Sequence, residues 1–277
     1  MHNEENSEPI TLSPFLKWAG GKRWFAERWL HLIPKQFERY IEPFVGSGAM
    51  YFSLLPESAI LSDLNADLIN AYCAVRDDPA SIQQLLQFHD DNHSKDHYYL
   101  TRAAKPEDTI KRAGRLIYLN RTCWNGLYRV NRRNEFNVPI GTKTRVVLPT
   151  DNFPSVSAAL RNAQLLVQDF EATIDLAGDG DFVFVDPPYT VKHNFNGFVK
   201  YNDHIFSWAD QVRLRDAVAR ASDRGAMLLV TNANHQSIRE IYQEIGECIV
   251  LKRASILAAS STHRSQVEEL AIRTWVE

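Results

Sequence analysis

The chain has 277 residues, 44% of them hydrophobic, 11% aromatic and 23% charged, a balance that excludes extended disorder and predicts one large globular domain or one domain carrying an insertion. No apolar run approaches the roughly 20 residues that a bilayer-spanning helix needs, and Met1 to Glu8 are polar and acidic, so a cytoplasmic chain is expected, with no membrane contact and no obligate protein partner evident. The net charge of -3 hides an asymmetry: eleven Lys or Arg lie between Arg102 and Arg145 against only Glu107, Asp108 and Glu135, so that stretch alone carries the charge to meet a polyanion.

Taken in chain order, helical periodicity is expected over 22–32, then a short strand at Tyr40–Pro43, a helix at Ala49–Leu54, a strand at Ala59–Ser62 and a helix at Ala66–Arg76. Residues 79–149 break this alternation: they read as helical, then basic and rich in Asn, Arg and Gly, which predicts an inserted subdomain within a domain formed by 10–78 and 150–277. Strands follow at Gln164–Gln168, Asp181–Val185, Ala226–Thr231, Ile249–Lys252 and Leu270–Trp275, with helices at Phe206–Ser222 and Ser237–Ile245. Most of these strands are near-continuously apolar, as strands buried on both faces are, so the fold class is α/β with a doubly wound sheet. Cys73, Cys123 and Cys248 are far apart and lack histidines at ligand spacing, so neither a disulfide framework nor a metal site is expected.

Three constellations carry chemistry. In Glu42-Pro43-Phe44-Val45-Gly46-Ser47-Gly48-Ala49 a strand end runs into a glycine-bearing turn before a helix, which lets backbone approach a ligand closely; a plain turn has the same pattern. Asp63, after the next strand, suits ribose hydroxyls and equally suits a helix N-cap. In Phe15-Leu16-Lys17-Trp18-Ala19-Gly20-Gly21-Lys22 a Gly-Gly turn joins a cation and an aromatic face, a combination fitted to a ligand with a carboxylate and a sulfonium; a plain strand-turn-helix has the same pattern. The most specific is Phe182-Val183-Phe184-Val185 followed by Asp186-Pro187-Pro188-Tyr189: prolines cannot continue a central strand, so the chain leaves the sheet and presents Asp186 and Tyr189 at its carboxyl edge.

With these motifs, and with Leu119-Asn120-Arg121-Thr122-Cys123-Trp124-Asn125-Gly126-Leu127-Tyr128-Arg129 running on to Glu135-Phe136-Asn137-Val138-Pro139 and a late segment Ala259–Arg264 before Val267-Glu268-Glu269-Leu270, the sequence resembles the Dam family of DNA adenine-N6 methyltransferases. The resemblance implies a Rossmann-like, S-adenosylmethionine-dependent methyltransferase sheet with an inserted, mainly helical DNA-recognition subdomain carrying a β-hairpin. It implies that Asp186 and the Pro187 carbonyl hold the target amine of a flipped adenine in double-stranded DNA while Tyr189 stacks on the base. Trp18, Lys22, Phe44, Gly46, Gly48, Asp63, Asp169 and Phe170 are then the cofactor residues. Lys17, Trp124, Asn125, Arg129, Arg132 and Pro139 are the DNA residues, with Arg129 and Asn125 matching those that read GATC; Arg133, and Arg115 and Arg121 where exposed, suit phosphate and equally a structural salt bridge, and Phe195 and Phe198 suit a loop over the base and equally ordinary loop packing. A regulator that keeps the fold without turnover, and an RNA or cytosine-N4 methyltransferase, are the alternatives.

Overall fold

The computed structural model describes residues 12–131, 133, 135–191, 206–254 and 266–276. The expected positions of Arg132, Phe195, Phe198 and the segment Ala259–Arg264 lie outside the described residues. The chain divides into two compact units: one takes residues up to Arg23 with 46–55 and 67–162, the other 24–45, 56–66 and 163–277.

The second unit holds a seven-stranded sheet. Its strands are β1 (Arg39–Glu42), β2 (Ala59–Asp63), β3 (Ala163–Val167), β4 (Asp181–Val185), β5 (Met227–Ala233), β6 (Glu247–Ala254) and β7 (Gln266–Arg273), in the spatial order β3-β2-β1-β4-β5-β7-β6. β1 to β5 pair in parallel, and β7 runs antiparallel between β5 and β6. Every residue of β4 is buried, which is why its sequence is apolar without alternation, whereas the edge strand β3 leaves Val167 exposed. The mixed α/β class expected from the sequence is therefore present, with each strand end within a few residues of its expected place.

Ile41, Val183, Val185, Leu228, Val230, Leu270 and Ile272 from the strands pack with Leu214, Val218 and Ala221 of a long helix and with Ile238 and Tyr242 of the next. The long helix starts where a capping box allows: the Ser207 hydroxyl accepts from the Asp210 amide, and the Asp210 carboxylate accepts from the Ser207 amide. The expected helix over 22–32 is shorter, ending at Arg28 before a separate turn at Leu30–Leu32, because Trp29 leaves helical geometry and Ile33, preceding Pro34, is extended.

In the first unit, helices run over Ala49–Leu54, Ala66–Asp77, Pro79–Asp91, Lys95–Ala103, Thr109–Thr122 and Phe153–Leu160. Pro79–Asp91 begins with its proline in the first turn and Asp78 as cap, and buries Ile82, Leu86 and His89, one stripe at helical spacing. Gly114, in mid-helix, sits where a Cβ would run into Leu85, so its missing side chain admits the neighbouring helix. Arg121, 3% exposed, forms a two-pronged ion pair with Asp151 (2.6 and 2.7 Å) and also donates to the carbonyls of Phe15 and Val146. A cation this deeply buried is tolerated because it is paired and bonded; it ties the Phe15 segment and the loop before Asp151 to one helix. Of the two readings open for Arg121, phosphate contact and structural salt bridge, its burial against Asp151 matches the second. Arg115 is likewise spent on the carbonyls of Thr101 and Arg102.

The expected hairpin over Trp124–Pro139 is not a continuous ladder. Trp124–Gly126 is a single 3-10 turn with Asn125 at φ +55°, and among the described residues the two arms are joined by the bridges Cys123↔Ile140 and Val130↔Phe136 and by backbone hydrogen bonds from the Trp124 amide to the Pro139 carbonyl, the Asn137 amide to the Arg129 carbonyl and the Asn131 amide to the Glu135 carbonyl. Turn geometry at Asn125 and Gly126, and a proline without an amide at 139, interrupt the bonding that a regular ribbon needs.

One part of this unit titrates. His89 is buried, its Nδ1 lies 2.9 Å from His97 Nε2, and its ring stacks on Tyr118 with centroids 4.5 Å apart. Burial, aided by the His97 ring, lowers its pKa from 6.5 to about 4. Between those values the unfolded chain binds more protons than the folded one, so His89's contribution to stability is intact above about pH 6.5 and is lost as pH falls towards about 4. Urea denaturation at about pH 7.5 and about pH 5 is expected to show this loss, and His89→Gln to reduce it; equal pH dependence in the two proteins would contradict the assignment.

Candidate active site

The order of parallel strands reverses between β1 and β4, and in an open α/β sheet ligands bind outside the carboxyl ends of the strands at such a reversal. β1 ends at Glu42 and leads into Pro43-Phe44; β4 ends at Val185 and leads into Asp186-Pro187-Pro188-Tyr189. Two of the three motifs thus issue from adjacent strand ends.

The registers explain what surrounds Asp186. Val185 pairs with Val230, so the next residue, Asp186, emerges beside Thr231; Thr231 pairs with Ala271, and Ala233 with Glu269. Alternation along the pleat puts Asp186, Thr231 and Glu269 on one face. The Thr231 hydroxyl donates to Asp186 Oδ1 at 2.7 Å, and the Tyr189 hydroxyl donates to Glu269 Oε2 at 2.6 Å. Thr231 is fully buried and Glu269 nearly so, while Asp186 and Tyr189 are half-buried and remain within reach of a ligand. Burial, reinforced by the negative charges of Asp186 and Glu269, raises the Tyr189 hydroxyl well above its ordinary value, so it stays a proton donor. From the other face, Asn232 donates to Gln211, and Gln211 donates to the Pro188 carbonyl at 3.4 Å, bracing the two-proline turn.

Phe44 stacks on Phe170 (5.3 Å between centroids, 22° between planes), with Phe206 edge-on to Phe44. Asp169 caps the short helix Phe170–Ile174 through the Glu171 amide, and Arg213 grips both its oxygens (2.9 and 3.1 Å) while its guanidinium lies 4.3 Å over the Phe170 ring. Asp63 ends β2 and accepts from the Asn65 amide at 2.9 Å. Both aspartates form turn or cap hydrogen bonds near the ends of their strands, and both sit where the sheet presents ligand-binding loops.

In the first unit, Gly46 and Gly48 have φ of +46° and +65°, which L side chains rarely adopt, and a Cβ on Gly46 would lie 2.8 Å from Trp18. Trp18 stacks on Tyr128 (5.1 Å, 22°), so close backbone approach at Gly46 makes room for an aromatic pair. Lys22 is buried and donates to the Gly20 carbonyl at 3.0 Å. Asn120 clamps Lys17: its side-chain carbonyl accepts from the Lys17 amide and its side-chain amide donates to the Lys17 carbonyl, both at 2.8 Å. Burial, with Lys143 and Arg23 nearby, lowers the Lys17 pKa to about 8.

A family model of the D12 class N6 adenine-specific DNA methyltransferases matches residues 18–257. The chain belongs to this family. It is 34% identical over 275 residues to the Type II methyltransferase M1.LlaDCHI of Lactococcus lactis subsp. cremoris, covering 96% of each chain. It is 34% identical over 262 residues to the DNA adenine methylase of Serratia marcescens, covering 92% of this chain and 96% of that one. It is 32% identical over 260 residues to the DNA adenine methylase of Escherichia coli (strain K12), covering 92% and 93%.

As an adenine-specific DNA methyltransferase the protein must also present residues to DNA, and the expected ones differ in exposure. Trp124 is 53% exposed, unusual for so large an apolar side chain, and Asn125 and Arg129 are exposed beside it. Arg129 Nε donates to Asn137 Oδ1 at 2.9 Å, and exposed Pro139 holds the turn by accepting from the Trp124 amide. Among the described residues no helix is long and apolar enough to cross a membrane, and no group of His, Cys, Asp and Glu is placed to hold a metal ion. Thr231 and Arg213 carry no local signal in the sequence, whereas Asn120, Tyr128 and Glu269 stand inside the family motifs without a role of their own.

Proposed function

We propose that the protein methylates adenine N6 in double-stranded DNA at GATC sites, using S-adenosylmethionine and a target base flipped out of the duplex. The observation that carries the reading is Asp186, issuing from the strand end at the order reversal with its Oδ1 accepting from the Thr231 hydroxyl.

The residues present fit the cofactor by their chemistry. Stacked Phe44 and Phe170 offer apolar faces, Asp63 and Asp169 end β2 and follow β3 as acceptors for hydroxyl and amine groups, and Trp18 in the first unit, beside the left-handed turns at Gly46 and Gly48, supplies an aromatic face suited to a sulfonium. When bound, S-adenosylmethionine supplies an electrophilic methyl group on sulfur. The Asp186 carboxylate and the Pro187 carbonyl accept hydrogen bonds from the two N6 hydrogens of the adenine, which draws the nitrogen lone pair out of conjugation and stabilises its developing positive charge until one of the two protons leaves the methylated nitrogen to solvent by way of the Asp186 carboxylate. Tyr189 contributes a ring face that offsets part of the few kcal/mol lost on unstacking the base. Holding amine and methyl donor in line supplies much of the remaining acceleration.

Residues 79–149 act in this proposal as the target-recognition segment. Trp124 wedges at the opened step, Arg129 reads a guanine edge, Asn125 contacts an adjacent base, and Lys17, Arg132 and Pro139 contact the duplex around them. The support is the exposure of Trp124, Asn125 and Arg129 on a turn held by Pro139, within a segment whose basic excess is local. Intracellular action on chromosomal or other DNA in the cytoplasm is part of the same proposal.

Asp186→Ala is expected to abolish methyl transfer while the calorimetric affinity for S-adenosylhomocysteine stays near that of the parent; a near-parental rate would remove Asp186 from the mechanism. Arg129→Ala is expected to relax discrimination at one base pair by about 1 to 3 kcal/mol in kcat/KM across single-substituted duplexes. Uniform weakening on every duplex would instead make Arg129 a phosphate contact.

A further inference from the structure

The pleat brings a second carboxylate to the reaction edge, for which the proposed chemistry gives no role. Glu269 lies on β7 and is only 4% exposed, and its strand neighbours Leu270, Ala271 and Ile272 are fully buried. Placing a carboxylate there costs desolvation that an amide or hydroxyl acceptor would largely avoid. What the charge adds is a stronger, shorter hydrogen bond from the Tyr189 hydroxyl, 2.6 Å to Oε2.

A tyrosine hydroxyl has one proton to give. Given to Glu269, that proton is withheld from Asp186, whose charge is close enough to be felt at the Tyr189 hydroxyl and whose Oδ1 already accepts from Thr231. We propose that Glu269 is a positioning residue: by claiming the Tyr189 proton it fixes the ring in the pose that meets the base and keeps Asp186 an acceptor for the N6 hydrogens. The proposal rests on the reading of Asp186 and Tyr189 as the target-base pocket. It assigns to the antiparallel strand β7, which lies beyond the parallel strands that carry the motifs, a direct part in setting that pocket.

The test is a double-mutant cycle of Glu269→Leu and Tyr189→Phe in the full chain, with Glu269→Gln as the conservative variant. It reads single-turnover methyl transfer, S-adenosylhomocysteine affinity by calorimetry, and the fluorescence of 2-aminopurine placed at the target adenine. Glu269→Leu is expected to slow methyl transfer about ten-fold or more and to change the 2-aminopurine signal, with cofactor affinity held within about two-fold. Glu269→Gln, whose amide oxygen still accepts from Tyr189, is expected to recover most of the rate, and the double variant to be no slower than the slower single one. Rates that multiply in the double variant, or a cofactor affinity that falls in step with the rate, would overturn the proposal and make Glu269 a structural residue. If Glu269→Leu does not fold, a parental rate and 2-aminopurine signal for Tyr189→Phe would overturn it equally. A parent protein that methylates no adenine would instead fail the underlying reading, an outcome distinct from an active parent with indifferent variants.

Discussion

A proline has no amide hydrogen to give a neighbouring strand, and two in succession after Val185 force the chain out of the sheet. The place where this happens matters more than the fact of it. β4 is fully buried and central, and it lies beside β1 at the point where the strand order reverses, so the forced exit delivers Asp186 and Tyr189 to the edge where an α/β sheet receives ligands. Their local setting depends on that exit: Thr231 beside Asp186, Glu269 accepting from Tyr189, and Gln211 bracing the Pro188 carbonyl. A D12-class methyltransferase must hold a weakly nucleophilic amine and a methyl donor in one geometry, and side chains rooted in strand ends hold position better than side chains on long loops.

The unit that carries the basic segment obeys a different constraint. Its helices are anchored by caps and by buried polar pairs, among them Arg121 with Asp151. That cation is spent on structure: bonded to Asp151 and to the carbonyls of Phe15 and Val146, it is in the wrong environment for a phosphate. The exposed members, Trp124, Asn125 and Arg129, sit on a turn whose backbone is held by Pro139 and Gly126 in place of a regular ladder. Rigid support beneath an exposed, irregular turn keeps those side chains in place.

The strands were legible because each is a short apolar run bounded by turn residues, and Asp186 to Tyr189 because a doubled proline after such a run has few structural meanings. Helix ends were less legible: the long helix was expected from Phe206, whereas Ser207 caps it and it begins at Trp208. Thr231, Arg213, Tyr128 and the role of Glu269 were not legible, because each depends on register or packing between segments far apart in the chain: Thr231 on β5 against β4, Glu269 on β7 against Tyr189, Arg213 across to Asp169, and Tyr128 against Trp18. The helix Phe170–Ile174 escaped for another reason, being too short for a periodic pattern. The broken pairing beyond Trp124 likewise follows from Asn125 adopting a positive φ, which no alternation of polar and apolar residues signals.

The most direct test of the account is sequence-resolved mapping of N6-methyladenine in DNA from a methylation-deficient host expressing the full chain, beside the same host expressing the Asp186→Ala variant. The account predicts methyl groups on the adenines of GATC sites with the parent chain and none with the variant. Methylation that persists in the variant, or a modified base other than adenine, would contradict it.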